Sequence, residues 1–153
     1  MYTSITKILE AGLTQQELIL LAENDGRAAA NIDFESDSDA LVVRVNSFIS
    51  KADAWIDSYL ASRFSVPLVT VPSTIEELST RRTIYLLTES RHRKDMPESL
   101  IIANKDDIKY LMSIQKGDIT PQGLTAVTTA STIIRTNKSN TEKTFNDDFM
   151  SDF

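Results

Sequence analysis

The stretch from Leu41 to Leu60 constrains the fold more than any other. Apolar residues fall at Leu41, Val42, Val45, Phe48, Ile49, Ala52, Trp55, Ile56, Tyr59 and Leu60. That three-and-four spacing lays one continuous stripe along a helix. Asp37 or Ser38 supplies a side-chain oxygen for the orphan N–H groups of its first turn. A helix from Ser38 to Arg63 is roughly 39 Å long at about 1.5 Å per residue. In a chain of 153 residues such a rod is the spine on which other elements pack. Its end is set by Pro67 and Pro72, which bias Val66 and Val71 away from helical angles. Leu68 to Val71 between them is short, β-branched and extended.

The flanking chain also reads as helix. Ser4 to Ala11 forms a short helix with Ile5, Ile8 and Leu9 on one side and Gly12 as its stop. Thr14 and Glu17 make a capping box that opens a second helix bearing Leu18, Leu20, Leu21 and Ala22. Asn24-Asp25-Gly26 is a turn signal, followed by an acidic connector over residues 31–39. Ser73 and Glu76 form another capping box, and Ile75, Leu78, Tyr85 and Leu86 mark the buried side of that helix, widened by Ile84 and Leu87. Pro97 opens a further helix through Leu100, Ile101, Ile108, Leu111 and Met112, closed by Lys116 and Gly117.

From Asp118 the character changes. Pro121 and Gly123 break regular structure, residues 124–136 are rich in Thr, Val and Ile, and residues 137–144 are polar and linker-like. Phe145, Phe149 and Phe153 then recur four apart, with Met150 beside them, so that a helix there carries one aromatic face. An apolar-faced segment on a polar tether reads as an arm that docks on its own core, on a neighbouring subunit or on another protein. The expected architecture is mainly α: four to five helices around one long central helix over residues 1–117, then an extended C-terminal arm over 118–153. Trp55, Ile56, Tyr59, Leu60, Pro67 and Pro72 are its expected structural core.

Composition narrows the function classes. The formal net charge of −6 opposes wrapping of nucleic acid, which requires a positive surface. Arg81, Arg82, Arg91, Arg93 and Lys94, with His92, are the one basic concentration. They fit an acidic partner, DNA phosphates, or simple compensation of a helix C-terminus. The chain has no cysteine, which removes disulfides and thiolate metal sites. His92 is the single histidine and has no spaced partner. The alternating carboxylates Asp33, Glu35, Asp37 and Asp39 imitate a calcium loop, but Ser38 and Arg44 stand where that loop needs glycine and glutamate. Asp53 and Asp57 share a helix face and read as surface carboxylates. No nucleophile elbow, Walker motif or histidine pair occurs, so neither an enzyme nor a cofactor is expected. No apolar run approaches about 18 residues, so a soluble cytoplasmic product is expected. Thr14 to Ile32 imitates a helix-turn-helix register, so a small DNA-binding regulator is the alternative. Its would-be second helix carries only Arg27 as a cation and runs into Asp33, Glu35 and Asp37.

The run Trp55-Ile56-Asp57-Ser58-Tyr59-Leu60-Ala61-Ser62-Arg63-Phe64, then Val66-Pro67-Leu68 and Val71-Pro72, resembles the phage Mu-like gp36 family of small helical head–tail connector proteins. The chain departs from the family pattern at Ser58, Ser62 and Phe64. The resemblance covers about Met1 to Gly117; the family's ending is matched approximately by Phe145, Asp148, Met150 and Phe153. It implies a structural, non-catalytic protein of the virion neck. Such proteins form a ring, commonly of twelve copies, between the portal protein and a tail or stopper protein, and double-stranded DNA passes through without sequence-specific binding. Another neck or tail completion protein is a further alternative of the same kind.

Overall fold

The computed structural model describes residues 1–23, 26–92 and 94–127. Five α-helices succeed one another: α1 (Ile5–Glu10), α2 (Gln15–Ala22), α3 (Ala40–Leu60), α4 (Ser73–Arg91) and α5 (Glu98–Lys116). Among the described residues there is no strand, so the chain is mainly α, as its periodicity predicts. No helix among them is long and apolar enough to cross a membrane.

The local signals explain most boundaries. Ser4 caps α1 by accepting from the Lys7 amide, and Gly12 leaves it at a φ of 103°. The Thr14–Glu17 capping box is formed in both directions, with the Glu17 amide on Thr14 Oγ1 at 3.2 Å and the Thr14 amide on Glu17 Oε2 at 2.8 Å. Gly117 closes α5 in the left-handed region that glycine adopts without steric cost.

Two expected caps are displaced. α3 is capped by Asp39, not Asp37 or Ser38, and the Leu41 amide donates to Asp39 Oδ1 at 2.8 Å. α4 begins directly after Pro72, so Ser73 is its first helical residue and makes no capping bond. Ser73 lies one position too late for its hydroxyl to reach back to the amides of the first turn. The stretch from Leu68 to Val71 forms bends, not a strand, and the Val66–Pro67 peptide is cis.

α3 is the spine. Ile56 and Leu60 join Tyr2, Phe64, Ile75, Leu78, Leu111 and Ile114 in one buried apolar cluster. Leu41, Val45 and Ile49 join Ile8, Leu18, Leu21, Ala22 and Leu87 in a second. Trp55 and Tyr59 pack partly buried against the first cluster, in edge-on contact with each other at 5.2 Å between centroids. Pro67 is exposed and Pro72 half-buried, so of the expected core these two mark the turn more than the interior. Met112 is also exposed, whereas Ile114 two residues on is fully buried.

A polar seam runs between the clusters. Asp53 is buried on α3 and accepts from the Ser79 hydroxyl at 2.6 Å and from the Tyr2 amide at 2.8 Å. Thr3 and Thr80 share a hydrogen bond of 2.7 Å beside them. The core-facing side of α4 therefore consists of Ile75, Leu78, Ser79, Thr80, Thr83, Leu87 and Thr88, while Tyr85 and Leu86 are only half-buried. This corrects the expected face, and the reason is local. Thr80, Thr83 and Thr88 donate their hydroxyls to the carbonyls of Glu76, Ser79 and Ile84 one turn earlier, which satisfies each within its own helix.

Candidate functional site: an assembly surface

The end of α3 organises the chain beyond α5. Arg63 reaches across to donate to the carbonyls of Ile114 at 2.9 Å and Ile119 at 3.1 Å. Its own carbonyl accepts from the Val127 amide at 2.7 Å. Leu124 and Ala126 pack against the first cluster and Pro121 is buried, so residues 118–127 return along the bundle. Phe145, Phe149, Met150 and Phe153, expected to carry the docking face, lie outside the described residues.

The N-terminus is tied to the same helix. Tyr2 donates its hydroxyl to Asp57 in a short hydrogen bond, and that hydroxyl accepts from the Leu68 amide at 2.9 Å. Burial, reinforced by Asp57, raises the Tyr2 phenol well above its ordinary value. Asp53 and Asp57 therefore grip Tyr2 from successive turns and are not a solvated surface pair.

The basic residues do not form one patch. Arg81 makes a paired contact with Asp107 on α5, at 2.8 and 3.1 Å, and stands 3.8 Å from Glu77. Arg82 donates to Asn104 at 2.7 Å, and its guanidinium lies 4.3 Å from the centroid of the Trp55 ring and 5.1 Å from that of Tyr85. Burial lowers its affinity for the proton below the usual arginine range. Both arginines thus fasten α4 to its neighbours. Arg91, nine residues beyond Arg82, donates to the Leu21 carbonyl at 3.3 Å. It stays exposed at the other end of α4 with His92 and Lys94, while Arg93 lies outside the described residues.

Beside that second group is a groove of about 440 Å³ between α2, the end of α4 and the start of α5. Leu13, Leu20, Leu21, Ile84, Pro97 and Leu100 are its apolar lining, with Glu17, Thr88, His92 and Asp95 also facing it, and Leu20 is 68% exposed. A crevice of about 390 Å³ between α1 and α4 is different in kind. There Lys7 bridges Glu10 at 3.5 Å and Glu76 at 3.2 Å, so its charges are already matched.

The DNA-reading and calcium-loop imitations dissolve together. Between α2 and α3 the described residues make a single 3-10 turn, Ala29–Asn31, where a recognition helix would need several turns. Arg27 is drawn inward between Glu23 and Asp39, at 2.8 and 2.9 Å. Asp39 is held well below the usual carboxylate range, chiefly by Arg27. Its oxygens are thereby committed to Arg27 and to capping α3. Among the described residues no group of three His, Asp or Glu side chains is placed to hold a metal ion.

The described residues thus form a five-helix bundle with a mostly apolar groove on one side. The family model described as Bacteriophage Mu, Gp36 matches residues 2–139, and the chain belongs to that family. It is a phage protein, and the membership points to a structural role associated with the virion. The comparison with curated proteins returned no match.

Proposed function

We propose that the protein is a head–tail connector, an adaptor or head-completion subunit that forms a ring between the portal protein and the next neck or tail component. The observation that carries this reading is the family match across residues 2–139. The bundle supports it physically: α3 feeds two separate apolar clusters, and α1, α4 and α5 are fastened to it by buried polar contacts and apolar packing, giving a stiff unit suited to serve as one wedge. The role is geometric, not catalytic, and needs no cofactor. Twelve copies is the ring order we favour. The C-terminal arm links each wedge to its neighbour or to the portal. Many weak arms acting together hold firmly because each bound arm raises the effective concentration of the next. The ring extends the channel through which double-stranded DNA passes, in the neck of the virion, after assembly in the host cytoplasm.

Deletion of residues 140–153 tests the arm. The truncated chain should remain a folded monomer by circular dichroism and light scattering, yet no longer sediment with purified portal particles. Normal occupancy of portal vertices by the truncated protein would refute the arm, and full-length protein that never associates with portals or with itself would refute the connector reading.

A further inference from the structure

We propose that the groove between α2, α4 and α5 is the seat of the chain's own C-terminal segment, residues 145–153. This deepens the connector reading by naming where the arm docks. The segment and the groove match in two independent respects. Phe145, Phe149 and Phe153 recur four apart in the sequence, a spacing that would put them on one face of a helix, and the groove offers Leu13, Leu20, Leu21, Ile84, Pro97 and Leu100 as apolar lining. Leu20 in particular is left 68% exposed on α2, although Leu18 and Leu21 on either side of it are buried. The second match is charge. Asp147, Asp148 and Asp152 give the segment three carboxylates and no cation. On the rim at the end of α4, His92 lines the groove and exposed Arg91 and Lys94 stand beside it in sequence, against two carboxylates in the lining, Glu17 and Asp95. An apolar face would settle inward with its acidic edge toward that rim.

The tether is long enough. Val127 is pinned to Arg63 at the C-terminal end of α3, whereas the groove lies toward the end of the bundle where Leu21 and Leu87 meet. α3, with 21 residues, spans about 32 Å at about 1.5 Å per residue. The residues from 128 to 144 can reach about 56 Å when extended at about 3.3 Å each. The segment can therefore enter the groove of its own chain or that of an adjacent copy.

The natural absence of cysteine makes disulfide trapping a direct test in the full-length protein. A Leu20→Cys, Phe149→Cys double variant is oxidised mildly and read on a non-reducing gel. Two controls carry Leu20→Cys with Ser151→Cys, which a helix would turn away from the phenylalanine face, and Val43→Cys with Phe149→Cys. Val43 is an equally apolar and 53% exposed residue on α3, away from the groove. The groove pair should cross-link at least about fivefold faster than either control, as docking raises the local concentration of the two thiols. His92→Glu with Lys94→Glu in that background should slow it again. A shifted band at monomer mass or a ladder of covalent oligomers both place the segment in a groove, the first in its own and the second in a neighbour's. Equal rates in all three pairs would overturn the proposal. Should that occur while portal binding still depends on residues 140–153, the arm docks elsewhere and the connector reading stands.

Discussion

Replacing Asp53 by alanine is the perturbation that best tests how this bundle is held together. Asp53 sits in the seam between the apolar clusters and accepts from two donors on different elements, the Tyr2 amide and the Ser79 hydroxyl. Its removal leaves the Tyr2 amide facing a methyl group, and Tyr2 is only 6% exposed. A buried donor left without a partner costs about 1–3 kcal/mol. Ser79 recovers part of its loss by turning its hydroxyl to the carbonyl of Ile75, one turn earlier in α4. The expected total is about 3 kcal/mol, a large share of the roughly 5–15 kcal/mol that stabilises a domain.

Urea denaturation followed by the emission of Trp55, the single tryptophan, provides the assay. With a slope of about 2 kcal/mol per molar urea, the Asp53→Ala midpoint should fall by about 1.5 M with the slope unchanged. Asp53→Asn keeps one acceptor oxygen but turns an amide toward the other donor, so it should lose about half as much. Ser79→Ala should lose about 1 kcal/mol, because Asp53 keeps the Tyr2 amide. The Asp53→Ala, Ser79→Ala double variant should be less destabilised than the sum of the two, since the residues share one contact. A midpoint shift below about 0.3 M for Asp53→Ala would mean the seam contributes little and the clusters alone hold α1 and α4 to α3.

Contacts elsewhere give three further expected outcomes. Asp39 binds its proton less readily in the folded chain than in the unfolded one, so its stabilisation is complete above the unfolded value near about pH 4 and is lost as the pH falls below it; Arg27→Met should flatten the acid side of the stability profile between about pH 5 and pH 2, measured by urea midpoints. Arg82→Ala removes a cation stacked on Trp55 and Tyr85 and should cost about 1–2 kcal/mol and shift Trp55 emission to the red, whereas Arg82→Lys should retain less than half of the contact because it lacks the planar guanidinium. Gly117→Ala should lower stability by about 1 kcal/mol through backbone strain alone, since the added methyl would lie 3.6 Å from Arg63, an ordinary contact, while φ stays at 96°.

What the sequence discloses about this fold is what depends on neighbours within a turn or two. The α3 stripe, the Gly12 stop, the Thr14–Glu17 box and the Gly117 stop each rest on residues close together in the chain, and each appears in the structure. Asp53 reads wrongly as a surface carboxylate because its partners stand 51 and 26 positions away, although its spacing from Ile49 and Ile56 already sets it on the apolar stripe. The inner face of α4 is hidden for a different reason. Hydrophobicity favours Tyr85 and Leu86, but serine and threonine enter a helical core cheaply when they bond the preceding turn. The usable signal is the recurrence of Ser79, Thr80, Thr83 and Thr88 in register with Ile75 and Leu87. The basic run illustrates the same limit for the site. A run of cations looks like a patch until the acceptors of another helix, here Asp107 and Asn104, are known to take two of its members.

That inward turning of arginine bears on the proposed channel. Arg27, Arg63, Arg81 and Arg82 are each engaged by carboxylates, carbonyls, an amide or aromatic rings of the same chain. These cations are therefore partly occupied, in a protein whose net charge is already −6. Non-specific DNA binding depends on cations that displace the counterions of phosphate, and its strength falls steeply with salt in proportion to the contacts made. A subunit built this way should offer DNA little to hold, which suits a conduit more than a regulator. Fluorescence anisotropy with a labelled duplex in low salt should show dissociation constants weaker than about 0.1 mM and almost no salt dependence. Micromolar binding that weakens steeply between low and moderate salt would reveal a phosphate-binding surface. In that event the passive channel wall would have to be abandoned, even if the ring itself were found.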